Sequence, residues 1–318
     1  MKGLRAETVR DMDLGSCKDI HDLTEQMYMS GGFTAKKLGQ AVRILERMVE
    51  DHAHIFLSFP ADIVSTGTRG VLLELIRSGV VSSVITTCGT LDHDIARSWR
   101  RYYHGDFNLD DAELRRHGMN RLGNILVPDS SYGKIIESRM QVFLSRIYRS
   151  GRRNMSTADL CDEIGRFIGR EDSLLYWAHR KHIPVFVPGI TDGAVGSQIW
   201  LFWQEHRDFS IDLLRDEHRL SDIVFGAKKT GALMIGGGIS KHHTIWWNQF
   251  RGGLDYAVYL TTAQEFDGSL SGAQTREAIS WGKVKPQAKH VTVEGDATIT
   301  LPILTWSLMC GRRRNGEH

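Results

Sequence analysis

Short apolar runs alternate with amphipathic stretches along nearly the whole 318-residue chain. His54–Phe59, Val80–Thr86, Ile125–Val127, Pro184–Val187, Ala232–Ile235, Asp255–Leu260 and His290–Val293 are too short for helices and apolar enough for buried strands. Between them, apolar residues return at helical spacing. Leu38, Ala41, Val42, Leu45 and Met48 mark one such face, which predicts a helix opening at an N-cap on Thr34 and running through Glu50. The same pattern predicts helices over 18–29, 69–78, 91–103, 132–149, 171–181, 195–205, 211–225, 239–250 and 301–309. Ser156 followed by Asp159 reads as a capping box for a helix ending at Ile168. Residues 104–111 read as a polar connection.

Strand and helix alternate with no internal repeat and no low-complexity linker. That predicts an α/β fold with a doubly wound, mostly parallel, Rossmann-like sheet and a helical N-terminal extension. The expected division is an extension over 1–30, a single domain over 31–310 and a charged, frayed tail over 311–318.

Composition narrows the class. A hydrophobic share of 41% and a charged share of 25% are those of a soluble globular protein. A net charge of +2 leaves no excess for a nucleic-acid-binding face. Cys17, Cys88, Cys161 and Cys310 form no CxxC pair, so no zinc ribbon or other metal site is expected, and a reducing cytoplasm is. The opening MKGLRAETVRDMDL is too polar for a signal peptide, and no apolar run reaches membrane-spanning length.

Ligands of open parallel sheets bind outside the carboxyl ends of the strands. Four expected strand ends carry small or polar residues: Ser65-Thr66-Gly67, Thr87-Cys88-Gly89, Thr191-Asp192-Gly193 and Gly236-Gly237-Gly238. Converging, they would form a nucleotide crevice; separately, glycine turns after strands are ordinary loop chemistry. GxGxxG followed by an acidic residue is absent. Gly236–Gly238 leads into a helix, an arrangement that offers free amides to a phosphate. Lys283 follows Trp281-Gly282. An exposed lysine titrates near ~10.4, and burial beside aromatic rings would raise its nucleophilic fraction about tenfold per unit of lowering. The alternative is a plain surface lysine. In Lys241-His242-His243 the two rings diverge by about 100°, so they do not share a metal. Either His242 moves protons near an amine, or one histidine is packed and the other exposed. His52 with His54 and His179 with His182 read as surface pairs. Glu265, Asp267, Glu277, Asp92, Asp94 and Asp192 could hold ammonium groups or merely face solvent.

Several longer words carry a resemblance. GGGISKHH, DYAVY, TAQEFDGS, SGA and EAISWGK resemble the signature segments of deoxyhypusine synthase, and the similarity extends from about Ser30 to Leu308. The resemblance implies transfer of an aminobutyl group from spermidine, or a related amine such as agmatine, to a lysine of the hypusine-containing translation factor precursor. It implies NAD as a transient hydride carrier and a homotetramer with active sites shared between subunits. Lys283 then matches the lysine that forms an imine with the transferred group, and His242 the proton shuttle. NAD contacts fall on Ser65, Thr87, Cys88, Gly89, Asp92, Asp192, Gly236, Thr262, Asp296 and Ala297. Amine contacts fall on Asp267, Gly268, Ser271, Glu277 and Trp281.

The chain departs from the family at four positions that matter. Leu270 and Ser197 stand where eukaryotic members have amine-binding aspartates, His93 where a second Glu is common, and Asp62 where Asn is common. A hydrogen bond to a charged group is worth roughly 1.5–3 kcal/mol. Losing two therefore requires other carboxylates or a differently shaped amine. GSLSGA and CGTLDHD resemble an archaeal branch. Homospermidine synthase, with a small diamine as acceptor, and a non-catalytic NAD-binding paralogue are the alternatives. A sirtuin-type deacylase is disfavoured by the missing zinc cysteines.

Overall fold

The protein is represented by a computed structural model in which residues 7–314 and 316 are described. Helix α1 (Ile20–Met29) opens at Asp19, whose carboxylate accepts the His21 and Asp22 amides. Helix α2 (Phe33–Glu50) opens at Gly32, so Thr34 lies inside the first turn instead of capping it. Then follow β1 (His54–Ser58), α3 (Arg69–Arg77), β2 (Ser83–Ile85) and α4 (Cys88–Trp99). Helix α4 starts three residues before the predicted Leu91 and stops at Trp99, not Tyr103. Its first turn is the Cys88-Gly89-Thr90 segment, which composition alone marks as a loop.

The expected polar connection contains β3 (Tyr103–His104) and leads into α5 (Asp111–Arg116). With β4 (Met119–Leu122) and β5 (Ile125–Pro128), β3 makes a small antiparallel sheet ordered β3-β5-β4. Two- and four-residue strands carry too few positions to show a period. Next come α6 (Gly133–Arg149), β6 (Asn154–Met155), α7 (Thr157–Ile168), α8 (Leu174–Lys181) and β7 (Val185–Phe186). The Ser156/Asp159 capping box is present in both directions at the start of α7. The last third holds α9 (Ala194–Glu205), β8 (Ser210–Ile211), α10 (Leu213–Gly226), β9 (Thr230–Ile235), α11 (Gly238–Gln249), β10 (Leu254–Thr261), α12 (Glu277–Ser280), β11 (Val284–Glu294) and α13 (Ala297–Arg314).

Six strands form the central sheet in the order β7-β2-β1-β9-β10-β11, and every pairing in it is parallel. The chain builds outward from β1 through β2 to β7, then returns to β1's other side and builds through β9 and β10 to β11. The winding therefore reverses between β1 and β9. This is the doubly wound α/β architecture, and the reversal is where such sheets open a crevice. Side chains sort by strand alternation. Ile55, Leu57, Leu233, Ile235, Val258 and Leu260 join the core under α2 and α13. Phe56, Ala232, Met234, Ala257 and Tyr259 join a second core with Leu220 and Val224 of α10 and Ile245 of α11. Each fully buried aliphatic side chain stabilises the fold by about 1.5–3 kcal/mol.

Three buried carboxylates tie distant helices to this frame. Asp92 accepts the Ala194 and Val195 amides of α9 at 2.9 and 2.8 Å. Asp94 accepts the Leu174 and Leu175 amides of α8, each at 3.0 Å, and pairs with Arg69. Asp216 accepts the Thr157 and Ala158 amides of α7 at 2.7 and 3.1 Å. Each carboxylate satisfies orphan amides and meets the positive end of a helix dipole. Asp94, expected as an ammonium ligand, is thus an internal anchor. His54, expected at the surface, is half-buried against Ser83 at 2.6 Å, and burial lowers its pKa to about 4.

Of the tail expected over 311–318, residues 311–314 belong to a helix, and 315, 317 and 318 lie outside the described residues. Helix α13 continues to Arg314, which pairs with Asp19 and Asp22 of α1 at 2.7 Å each. Those partners lie far away in sequence, so nothing local announces them. Among the described residues, no helix is long and apolar enough to cross a membrane. None of their His, Cys, Asp and Glu residues cluster in a way that could hold a metal ion.

Candidate active site

A cavity of about 310 Å³ lies between the first turns of α11 and the segment joining β10 to β11. Lys283, His242, Trp281, Glu277, Leu270 and Lys241 are among the residues lining it. Lys283 immediately precedes β11 and is only 8% exposed. Gly282 precedes it with φ +66°, a left-handed turn that glycine adopts without strain. The Lys283 amide donates to Ala278 O at 2.9 Å and its carbonyl accepts from the Leu254 amide at 3.0 Å, so its backbone is held on both sides. Its ammonium lies 5.3 Å from the Trp281 ring and 5.8 Å from the Trp246 ring, within cation–π range of both.

His242 projects from α11 into the same cavity and stacks on Trp246, with ring centroids 5.7 Å apart. Burial lowers its pKa, and the nearby Lys283 and His243 charges lower it further. It is therefore neutral near pH 7 and able to accept a proton. His243 points elsewhere, to Glu217 at 3.1 Å. The two rings thus have separate duties, as their divergence on the helix predicts.

Acidic groups are fewer here than the sequence suggests. Glu277 opens α12 and faces the cavity. Glu265 also lines it but is paired with Arg276 at 2.5 Å. Asp267 accepts the Ser269 amide at 2.7 Å, so its carboxylate serves its own turn. Gly268, at φ +72°, lines the cavity beside that turn. Leu270 supplies an apolar wall where a carboxylate would be expected. Ser197 lies outside this lining, on the first turn of α9, where its hydroxyl donates to Gly193 O at 3.1 Å.

Lys241 has no expected role in the sequence pattern, which marks only the histidines beside it. Its side chain is buried and its ammonium donates to Leu270 O at 2.8 Å and Ala273 O at 2.6 Å. The Tyr259 ring lies 3.6 Å away. Burial lowers its pKa to about 7.

The other expected residues gather at the strand ends. Helices α4 and α11 begin at Thr87 and Gly237 with no side-chain cap, so their first amides remain available at the carboxyl ends of β2 and β9. Gly236, at φ +62°, turns the chain from β9 toward α11. Gly89 sits where a Cβ would lie 2.7 Å from the Ala61 Cβ, so only glycine lets the Ser65 loop approach. Ser65 is buried and donates to Asp62 O at 2.6 Å. Arg97 braces that loop by donating to Val64 O at 2.6 Å and to Thr66 O. Cys88 is buried, and burial with the Asp92 charge beside it pushes its thiol up to about 12, so it packs as a neutral group.

Asp92 faces inward: besides α9 it accepts the Tyr132 hydroxyl at 2.8 Å. It holds the start of α9, and the exposed Asp192 precedes that start by two residues. His93 packs with Tyr102 and Tyr132, hydrogen-bonded to the Tyr102 hydroxyl at 2.9 Å. Ser271 bridges the two groups of residues. Its carbonyl accepts Tyr259 OH at 2.6 Å, and its hydroxyl lies so close to Gly237 that a Cβ there would approach it to 2.0 Å. Thr262 follows β10, and Asp296-Ala297 follow β11. They stand one and two strand spacings from Gly236 at the end of β9, and three and four from Thr87 at the end of β2.

A sequence model of the family described as deoxyhypusine synthase matches residues 22–308. A Thermoplasma acidophilum protein named "Probable deoxyhypusine synthase" is 57% identical over 303 residues, covering 95% of this chain and 97% of the relative. One of the same name from Sulfurisphaera tokodaii is 47% identical over 310 residues, covering 96% and 98%. A crystal structure from Entamoeba histolytica, described as a candidate deoxyhypusine synthase, shares the fold with a TM-score of 0.64 at 19% identity, covering 95% of this chain and 97% of that one. With a family match across most of its length and relatives this similar, the chain belongs to the deoxyhypusine synthase family of aminobutyl-transferring enzymes.

Proposed function

We propose that the enzyme transfers an aminobutyl group from spermidine, or a related amine such as agmatine, to a lysine of the hypusine-containing translation factor precursor, with NAD as cofactor. The observation that carries this reading is Lys283, buried between two indole rings in a cavity it shares with His242 and Glu277. A surface lysine has no such enclosure. Water exclusion there protects C=N bonds from hydrolysis.

The residues fit a dinucleotide. The uncapped starts of α4 and α11 flank the point where the sheet's winding reverses, and Ser65, Gly89 and Gly236 keep the surrounding backbone close. Such amides suit a pyrophosphate. Bound there, NAD supplies a reversible hydride acceptor for the carbon beside the donor nitrogen. Glu277 holds the donor's distal ammonium, and Trp281 covers its methylene chain. His242 takes a proton from the reacting nitrogen. The Lys283 nitrogen forms a C=N bond to the donor carbon as the bond to the departing amine breaks. The acceptor lysine displaces Lys283 by the same exchange, and return of the hydride to the new C=N carbon would leave a secondary amine with no net redox change.

A homotetramer with shared sites accompanies this reading. In this reading Thr262, Asp296 and Ala297 serve the cofactor in a site shared between subunits. Trp200, Leu201 and Trp203 of α9 and Trp246 and Phe250 of α11 are exposed and apolar, as a subunit interface requires. A cytoplasmic location accords with the free, mostly buried cysteines.

The test is a donor panel of spermidine, agmatine and putrescine, with NAD and the precursor protein, followed by mass analysis of the precursor. A mass gain of one aminobutyl group is expected. Transfer to putrescine with none to the precursor would move the reading to homospermidine synthesis, and no transfer from any donor would sink it.

A further inference from the structure

We infer that Lys241 is a positioning residue that sets the wall of the amine cavity by holding the main chain at Leu270 and Ala273. The inference rests on the reading of this cavity as the amine site. Lys241 is 3% exposed, and among the described residues no carboxylate lies within ion-pair distance of it. Its acceptors are two carbonyls and the face of Tyr259. Glu277 attracts that charge from beyond ion-pair distance. A buried ammonium without a directly paired carboxylate is costly, and an apolar side chain would fill the same space without that cost. A general packing role therefore does not account for the charge. Burial also draws its pKa down toward 7, which is the cost seen from the protonation side.

What the charge does is local. The Ser269–Ala273 segment is a tight turn, with the Gly272 and Ala273 amides both donating to Ser269 O at 3.1 Å. Lys241 holds the carbonyls at 270 and 273, while Tyr259 and Thr261 hold the one between them, at Ser271. Three carbonyls of one short turn are thus bound from beneath by α11 and β10. Fixing them sets the direction of the Leu270 side chain and of the chain leading to Glu277. His242 is the next residue on α11, so one helical turn positions both the cavity wall and the proton-accepting ring. A donor amine then meets a wall and a base whose spacing does not vary.

The experiment uses the full chain with Lys241→Met, which keeps an unbranched stem as far as Cε and removes the donors. Amide hydrogen exchange, the thermal midpoint, and steady-state constants for spermidine and NAD are read. Exchange at 269–275 is expected to rise about tenfold or more, and the spermidine KM to rise about tenfold, the worth of one charge-assisted hydrogen bond. The NAD KM should stay within about twofold, and the midpoint should be unchanged or higher, since a desolvated charge has gone. Unchanged exchange at 269–275 overturns the inference. So does a lowered midpoint with exchange raised across the central sheet, which would make Lys241 a general staple. Should Lys241→Met fail to fold, Lys241→Gln is read on the same criteria. Exchange of the parent chain with and without spermidine separates the two readings. Absent protection over 268–284 would remove the cavity as the amine site, whereas the variant comparison decides the positioning role of Lys241.

Discussion

The proposed cofactor side and the proposed amine side of this site are held by different means. On the cofactor side, short turns run straight from a strand into a long helix, as at Thr87 into α4 and Gly236 into α11. Their positions follow from the sheet itself, and Asp92 and Arg97 reinforce them from within. On the amine side, a long segment between β10 and β11 carries no more than a 3-10 turn at Glu265–Asp267 and the four-residue α12. It is mostly exposed, and Lys241, Tyr259 and Thr261 grip its base. The contrast is between geometry inherited from a rigid scaffold and geometry imposed on a loop. A family can vary the second kind while keeping the first, and Leu270 lies in the second kind.

The largest expected effect is also the sharpest separation of the two sides. Lys283→Ala should reduce aminobutyl transfer by about a thousandfold or more, while NAD affinity measured by fluorescence titration stays near that of the parent chain. A matching loss of NAD affinity would mean the sides are not separable. Asp92→Ala should do the opposite. It strands two helix amides and the Tyr132 hydroxyl in a buried setting, costing about 2–4 kcal/mol in urea unfolding and raising the NAD KM more than the spermidine KM. Unaltered stability would show that α9 holds its place without that anchor.

The pH dependence of stability should divide in the same way. On the cofactor side, burial holds the folded His93 pKa at about 4, below the usual 6.5. Between those values the unfolded chain binds the extra proton, so stability falls as pH drops through that window, by up to about 3 kcal/mol. On the amine side, Lys241 at about 7 lies below its usual 10.5, so its contribution to stability rises with pH from about 7, opposed above about 9 by the buried Cys88 thiol. Denaturant melts of His93→Gln should lessen the slope in the lower window, which His54 shares, and those of Lys241→Met should lessen it in the upper. A slope undiminished by its substitution would assign it wholly to other groups. The smallest effect is a gain. Leu270→Asp should lower the spermidine KM by about tenfold, the worth of one charge-assisted bond. An unchanged KM would place the donor's ammonium elsewhere in the cavity.

Much of the sheet was legible because buried parallel strands are written as apolar runs, and β1, β9 and β10 lie within one or two residues of their predicted spans. The small antiparallel sheet was not, because its strands are too short and exposed to show a period. On the amine side, Lys283, Trp281, Glu277 and His242 do meet in one cavity. The spellings around them made that expectation possible, since residue type alone leaves Lys283 a surface lysine. Asp92 and Asp267 were legible as carboxylates but not as the anchors they are, because a carboxylate's partner is a matter of distance in space.

Residue order alone settles the alternation of strand and helix, the glycines that permit left-handed turns, and the diverging directions of His242 and His243. These depend on steric and periodic rules acting over a few residues. Folding alone settles which charges are spent inside. Asp94, Arg97 and Lys241 have the composition of surface residues, yet each bonds groups at least 25 residues away. A buried charge is stable only where the fold brings acceptors or donors to it, and that encounter has no local signature. Leu270 completes the contrast, since its identity is plain in the sequence while its place in the cavity wall depends on an ammonium from another element.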